Sequence, residues 1–466
     1  MLSKNISNNI KATYFIGVGG IGMSALARYF NSIGVFTCGY DKTPSKITDN
    51  LITEGVKIHF KDDVNLIDKN IKALPKDEVI VVYTPAVPTH HSEFQWFNSN
   101  NYKVYKRAEV LGLITNPFKT VAVAGTHGKT SVSTIIAHIF KNTNQKFNAF
   151  LGGISKNYNS NLILNTEPDN VIYAVTEADE FDRSFLQLFP WSAVVTSVDE
   201  DHLDIYEDIN DLKRTFGQFT NQINKEGLLI IKKGVDLEKE NFPKNTYTYS
   251  LNDEADFYAT NIVNDANKST FDIITPKGKV NNVVINIPGN LNVENVVAAY
   301  AIATLQGINN VDIKDALQSW KGVKRRFEYI VNTKEVVYID DYAHHPEELK
   351  SFLTSIKNIY KNKHITGVFQ PHLFTRTRDF AEDFAKSLDL LDTLYLLDIY
   401  PAREEAIEGV TSKLIFDNLK IKSKEILTKE EVLKKIEKIK PEVLVTVGAG
   451  NIDSLVNPIK KILNRK

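Results

Sequence analysis

The sequence predicts an α/β fold in three successive domains, each built on a largely parallel sheet. Its 466 residues exceed what one hydrophobic core usually serves and suggest about three domains. Twice a short apolar run breaks at glycine and passes straight into helical apolar spacing, in "YFIGVGGIGMSALARYF" and in "VAVAGTHGKTSVSTIIAHIF". In the last third, the runs "VVYIDDYA", "ITGVFQPH", "TLYLLDIYP" and "EVLVTVGAG" alternate with amphipathic patterns such as "PEELKSFLTSIKNIY". That alternation argues for parallel strands joined by right-handed crossovers.

The first segment spans 1–118 and closes after the turn signal Asn116-Pro117. A strand at Tyr14–Ile16 feeds Gly17-Val18-Gly19-Gly20-Ile21-Gly22, and the helical run Met23–Phe30 follows. This is G-x-G-x-x-G in its strand-to-helix context, which makes the segment Rossmann-like. Gly17, Gly19, Gly20 and Gly22 are the candidate pyrophosphate-binding positions, and Asp41 ends the second strand "VFTCGYD". Another strand is expected over Glu78–Val87. Taken alone, this fingerprint also suits a nicotinamide-dependent dehydrogenase.

The second segment, 119–325, opens with a strand at Val121–Ala124 and a helix carrying Val132, Ile135, Ile136, Ile139 and Phe140 on one stripe. Between them lies Gly125, Thr126, His127, Gly128, Lys129, Thr130 and Ser131. Free N–H groups and the positive end of the helix dipole face such a turn. Lys129 adds a charge for β- and γ-phosphates, and the Thr130 hydroxyl suits Mg²⁺. Val123 stands where the full phosphate-loop pattern has its first glycine. The segment is therefore expected to hold a P-loop ATPase-like parallel sheet. After the strand in "NVIYAVTEADEFDRSF" come Glu177, Asp179, Glu180 and Asp182. Glu177, nearest the strand end, is the candidate metal ligand, since Mg²⁺ against a triphosphate takes one or two protein carboxylates. Asp182 suits a cap on the following helix better. His202, between Asp201 and Asp204 at the end of the next strand, reads either as a second metal ligand or as a structural histidine. A helix is expected over Asn292–Gly307.

The third segment, 326–466, is also Rossmann-like and concentrates polar residues at strand ends. "IDDYAHHPEEL" contains Tyr342 and His344, and "FQPHLFTRTRDF" contains His372, Arg376 and Arg378. Arginine at such a position grips a carboxylate or phosphoryl oxygen with a forked pair of donors. Arg325 and Arg326, in the joining stretch "GVKRRFE", read either as linker charge or as a reach toward a transferring phosphate.

Composition narrows the class. Apolar content of 42% and charged content of 24% are ordinary for a globular protein, and 56 Lys+Arg against 57 Asp+Glu favour neither a nucleic-acid nor a membrane partner. One cysteine, Cys38, excludes an intrachain disulfide framework and suits a reducing cytoplasm. No run of 18 apolar residues occurs.

Together, "GVGGIGMSALA", "AGTHGKTSV", "EADEFDRSFL", "DEDHLDIY", "GNLNVENVVAA", "GVKRRFE", "DDYAHHPEEL", "FQPHLFTRTRDF", "DIYPARE" and "GAGNID" resemble the Mur ligase family, and within it the alanine-adding branch. The resemblance runs nearly end to end and accounts for the shortened loop G-T-H-G-K-T. It implies an ATP- and Mg²⁺-dependent, cytoplasmic, amide-forming ligase of peptidoglycan precursor synthesis, monomeric or weakly dimeric, with UDP-N-acetylmuramate and L-alanine as substrates. It implies Gly17, Gly19 and Gly22 on the UDP pyrophosphate, 125–131 on ATP with Lys129 at the γ-phosphate, and Asn292 and Asn295 beside that site. Thr130 and Glu177 would bind one Mg²⁺ and His202 a second. Arg326 would serve the phosphate, and Tyr342, His344 and Arg376 would surround the alanine. Three departures from the family pattern are Leu373, where relatives often carry a basic residue, Leu291, where many carry histidine, and "CGYD", where a Gly-Ser-Asp turn ending at Asp41 is commoner. A sister branch that attaches a whole recycled peptide is the alternative within the family.

Overall fold

Residues 9–200, 205–239, 242–402 and 404–465 are described in the computed structural model. The three central strands of the first sheet are short apolar runs buried on both faces, as a parallel sheet between helices requires. Ala12–Ile16, "ATYFI", is buried at every position and begins two residues before the expected strand. The strand order is Lys57–His59, Phe36–Tyr40, Ala12–Ile16, Val79–Tyr83, Lys103–Lys106, all parallel. Chain order reverses between Ala12–Ile16 and Val79–Tyr83, the switch point at which such sheets bind ligands, and the glycine loop leaves the sheet there. The strand expected over 78–87 stops at Tyr83, because Pro85 and Pro88 cannot donate to a ladder.

The second sheet has ten strands. Its centre runs Leu228–Lys232, Ser192–Val195, Lys119–Ala124, Tyr173–Ala178, Phe147–Ser155, with Ser160–Ile163 antiparallel at one edge. The strand that opens the phosphate loop is thus flanked by the strands ending at Val195 and Ala178, and residues after all three meet at one end of the sheet. The order continues through Asn245–Ser250, Phe257–Asn264, Ser269–Thr275 and Gly278–Ile285. The helix expected from 292 begins earlier and runs Asn290–Leu305, directly after Gly289 at φ +112°. The third sheet is ordered Glu328–Asn332, Val337–Asp341, Val443–Val447, Ile365–Phe369, Thr393–Leu396, Ser423–Ile426, parallel except for its first pair.

Contacts divide the chain into two compact units: Met1–Thr260 with Ile273–Val283 and Asn295–Trp320, and Asn261–Asp272 with Val284–Glu294 and Lys321–Lys466. In the first unit the first two sheets share a core. Phe15, Leu26 and Phe30 belong to the same buried cluster as Ala122, Phe150, Phe185 and Phe216. A buried polar staple fixes the helix Ile21–Ser32 there. Arg28 Nε donates to both carboxylate oxygens of Glu54, and its Nη1 donates to Asn161, whose amide donates to Ile21 O at 2.5 Å. On the other face of the first sheet, the Tyr14 hydroxyl donates to Glu93 at 2.7 Å and lies 2.8 Å from His59 Nε2. Burial pushes the Glu93 carboxyl up to about 7.

Candidate active site

The phosphate loop is held in shape by the neighbouring strand end. Thr126 N–H donates to Ser197 O at 3.1 Å and His127 N–H to Ser197 Oγ at 3.0 Å. Gly125 has φ +133°, and a Cβ there would stand 2.1 Å from Thr196 Oγ1. Gly128, at φ +84°, precedes the helix Lys129–Asn142, and a Cβ there would come within 2.9 Å of Asn295 Oδ1. Only glycine fits both constraints at each position. Thr130 and Ser131 are buried in the first turn.

Lys129 Nζ donates to Gly125 O at 2.6 Å and to Glu180 at 2.9 Å. Burial works against the ammonium charge, but Glu180, Glu177 and Asp179 outweigh it and hold the Lys129 pKa above its ordinary value. Beside it, Thr130 Oγ1 donates to Glu177 Oε2 at 2.9 Å. Room for that carboxylate comes from another strand: a Cβ on Gly152 would lie 1.7 Å from Glu177 Oε2. A hydroxyl and a carboxylate side by side are the hard oxygen donors that Mg²⁺ selects. Among the described residues no group of three His, Cys, Asp or Glu is arranged to hold a metal by itself. Thr130 and Glu177 therefore fit an ion that draws its other ligands from water and phosphate. His202, with Asp201 and Asp204, lies outside the described residues.

In the glycine loop, Gly17 and Val18 N–H donate to Tyr40 O at 2.8 and 3.0 Å. Gly19 N–H donates to Asp41 Oδ2 at 2.7 Å, so Asp41 is a structural brace of the loop. Gly20 precedes the helix Ile21–Ser32. A Cβ on Gly22 would be 2.8 Å from Arg107 Nη1, and Arg107 Nη2 pairs with Asp179 at 3.0 Å. Lys106 pairs with Asp182 at 2.8 Å, so Asp182 serves a cross-sheet ion pair and not the helix cap expected of it. Two successive cations thus tie the end of the first sheet to the acidic loop of the second.

The second unit carries the other constellation. Asn292 donates its amide to Pro288 O at 2.9 Å, within the turn that starts its helix. Asp340 accepts from Arg325 Nε at 3.2 Å and from Thr446 Oγ1 at 2.5 Å. Asp341 accepts the N–H groups of Phe327 and Ala343 at 2.6 and 2.8 Å. Burial pushes both carboxyls up to about 6, against the pull of Arg325 on Asp340 and of Arg326 on Asp341. The Tyr342 ring has Arg325 at 5.1 Å and Arg326 at 5.2 Å from its centroid, two cation–π contacts on one phenol. His344 Nδ1 lies 3.1 Å from Tyr342 O and 3.2 Å from Glu348. Glu348 also faces Arg326 at 3.5 Å. The His372 ring meets His344 edge-on at 5.9 Å. Arg376 is buried in the short helix Phe374–Asp379, which is moored by Glu404 accepting the N–H groups of Phe374 and Thr375. Leu373, at the head of that helix, is buried with φ +72°.

Three family models match in series: "Mur ligase family, catalytic domain" over 12–119, "Mur ligase middle domain" over 123–303 and "Mur ligase, glutamate ligase domain" over 325–450. The chain belongs to the Mur ligase family. It is 50% identical over 459 residues to the UDP-N-acetylmuramate–L-alanine ligase of Parabacteroides distasonis, covering 98% of each chain. It is 49% identical over 457 residues to the enzyme of the same name from Porphyromonas gingivalis, covering 97% of this chain and 99% of that one. Its fold is similar to the crystal structure of UDP-N-acetylmuramate-alanine ligase from Thermotoga maritima, with TM-score 0.81 at 24% identity over 97% of this chain and 98% of that one.

As in the sequence reading, this Mur ligase brings Lys129, Thr130 and Glu177 together at one end of the central sheet, with Asn295 beside Gly128. In the second unit Tyr342 and His344 meet Arg326, which the sequence assigns to the phosphate, while Arg376, expected beside them, is buried in its own short helix. Four participants were not singled out: Glu180 on Lys129, Gly152 behind Glu177, Arg107 against Gly22, and Glu348 between His344 and Arg326. Glu180 and Glu348 stood inside quoted motifs. Gly152 and Arg107 had no local signal, since each acts on a residue far away in sequence.

Proposed function

We propose that this Mur ligase joins L-alanine to the lactyl carboxylate of UDP-N-acetylmuramate at the expense of ATP, in cytoplasmic peptidoglycan precursor synthesis, acting as a monomer or weak dimer. The supporting observation is the pre-shaped phosphate loop in which Lys129 and the Thr130–Glu177 pair converge, together with the shared name of relatives at about half identity over nearly the whole chain. The division of labour follows the segments 1–118 for the sugar nucleotide, 119–325 for ATP and 326–466 for the amino acid.

A carboxylate and an amine do not condense in water unless the carboxylate is activated. Attack of the lactyl carboxylate oxygen on the γ-phosphorus gives an acyl phosphate and ADP. The alanine amine then attacks the acyl carbon and phosphate departs. The loop Gly125–Ser131 receives the phosphates at the open first turn of its helix, and Lys129 neutralises charge growing on the transferred group. Asn292 and Asn295 serve the nucleotide. Thr130 and Glu177, with His202 for a second ion, would hold Mg²⁺, which when bound supplies charge neutralisation on the phosphates. Gly17, Gly19, Gly20 and Gly22 receive the UDP pyrophosphate, their loop braced by Asp41. Arg326 serves the phosphoryl group, Tyr342 and Arg376 orient the alanine, and His344 helps to take a proton from its amine.

The test is phosphate release with UDP-N-acetylmuramate, alanine and ATP omitted in turn. Release that needs all three, with an alanine-bearing product, is expected. Turnover with a free tripeptide in place of alanine, or alanine-independent release, would overturn the reading.

A further inference from the structure

Glu348 occupies the first turn of the helix Pro346–Ile359 and is nearly buried, with a side-chain exposure of 10%. Its plainest job is to cap that helix, since it accepts the His344 N–H at 3.1 Å. A cap does not explain the rest of its surroundings. The same carboxylate lies 3.2 Å from His344 Nδ1 and 3.5 Å from Arg326 Nη1. His344 Nδ1 has a second neighbour, Tyr342 O at 3.1 Å, which can only accept. A ring nitrogen facing two acceptors carries the proton, so the lone pair of the neutral ring sits on Nε2. The other groups around the ring are the Tyr342 phenol and the His372 imidazole, at 5.4 and 5.9 Å between centroids, and Arg326 beyond the carboxylate.

We infer that Glu348 is a positioning residue for the amide-forming step: it accepts the His344 backbone N–H and sets its charge beside Nδ1, whose proton Tyr342 O accepts, and so holds the ring whose Nε2 accepts the alanine proton. The inference rests on the function proposed above, in which His344 is the proton acceptor. Alanine enters as its free amine. As the nitrogen bonds to the acyl carbon, one N–H proton passes to Nε2 and the bond from that carbon to the phosphate oxygen breaks. The products are the amide, inorganic phosphate and a His344 imidazolium. Glu348 stabilises that cation directly, as a negative charge 3.2 Å from Nδ1.

Two half-reactions separate the inference from the reading beneath it. With ATP and UDP-N-acetylmuramate but no alanine, hydroxylamine traps acyl phosphate as a hydroxamate. The wild-type chain should yield hydroxamate, and its absence would overturn the proposed function and the inference with it. Glu348→Gln should leave hydroxamate formation within about 3-fold while slowing amide formation about 10- to 100-fold, less than the roughly 10²- to 10⁴-fold that a general base itself contributes, because the base remains. Glu348→Asp, which keeps the charge, should restore amide formation toward that of wild type. Equal slowing of both half-reactions, or no rescue by Glu348→Asp, would reduce Glu348 to a helix cap and overturn the inference. ¹⁵N-histidine NMR of the unsubstituted chain gives a check that needs no stable variant, with the resonance assigned by its loss in His344→Gln. An Nδ1-protonated neutral ring is expected, and an Nε2-protonated ring would overturn the assignment.

Discussion

Replacing Lys129 by alanine removes two things at once, and the structure says how to separate them. The lysine supplies the charge for the γ-phosphate, but it is also the cation paired at 2.9 Å with Glu180, whose side chain is fully buried. Removing one partner of a buried ion pair destabilises by about 3–5 kcal/mol. Glu180 then keeps its buried charge without the Lys129 ammonium beside it. A second change, Glu180→Gln, removes the stranded charge and should restore most of the stability while leaving turnover absent. Urea unfolding followed by tryptophan fluorescence reads the first quantity and phosphate release the second. Unchanged unfolding in Lys129→Ala would refute the buried-pair argument. Turnover in the double variant within about 10-fold of wild type, roughly 1.4 kcal/mol of barrier, would refute the catalytic one.

Glu177→Gln keeps shape but removes the charge beside Thr130, so a Mg²⁺ titration of activity should shift to higher concentration; a curve overlaying that of wild type would make Glu177 a loop carboxylate only. Arg376→Ala should raise the apparent alanine requirement about 10-fold or more and leave that for ATP within about 2-fold, as loss of a forked carboxylate contact implies; an unchanged alanine requirement would refute the assignment. Glu93 has its carboxyl raised from 4.5 to about 7 by burial. Between those values the folded chain keeps a proton that the unfolded chain has lost, so stability falls as pH rises through the window, by up to about 3 kcal/mol. Glu93→Gln should flatten that fall in denaturation series from pH 5 to 7.5, and a parallel profile would show that Glu93 is not its source.

Local pattern made the strand–glycine–helix units and the alternation of the last third legible, because buried parallel strands and helices leave strong apolar periods. The loop residues 125–131 were legible for the same reason, a contiguous motif with a backbone cause. Strand limits were less so: the run expected to reach Val87 stops at Tyr83, where proline chemistry overrides apolar content. Arg107 and Gly152 were not legible at all. Their partners, Gly22 with Asp179 and Glu177, are brought near only by the stacking of strands far apart in the chain. Glu348 looked like one acid among many on a helix, and its meaning comes from the ring and guanidinium that fold back onto it.

The chain does not finish one compact unit before starting the other. It passes from the first to the second after Thr260, returns at Ile273, leaves after Val283, returns at Asn295 and leaves for good after Trp320. On a ribosome the first unit must wait for 295–320 before it is complete, and by then two pieces of its neighbour, 261–272 and 284–294, have already emerged without the 321–466 body they belong to. Those pieces continue strands of the second sheet, Phe257–Asn264, Ser269–Thr275 and Gly278–Ile285, so their pairing is met early. The surface they share with 321–466 stays exposed through the synthesis of about a third of the protein, an interval that favours misassembly. No single cut releases either unit whole, so truncation at a domain boundary read from sequence leaves at least one of them short of a segment.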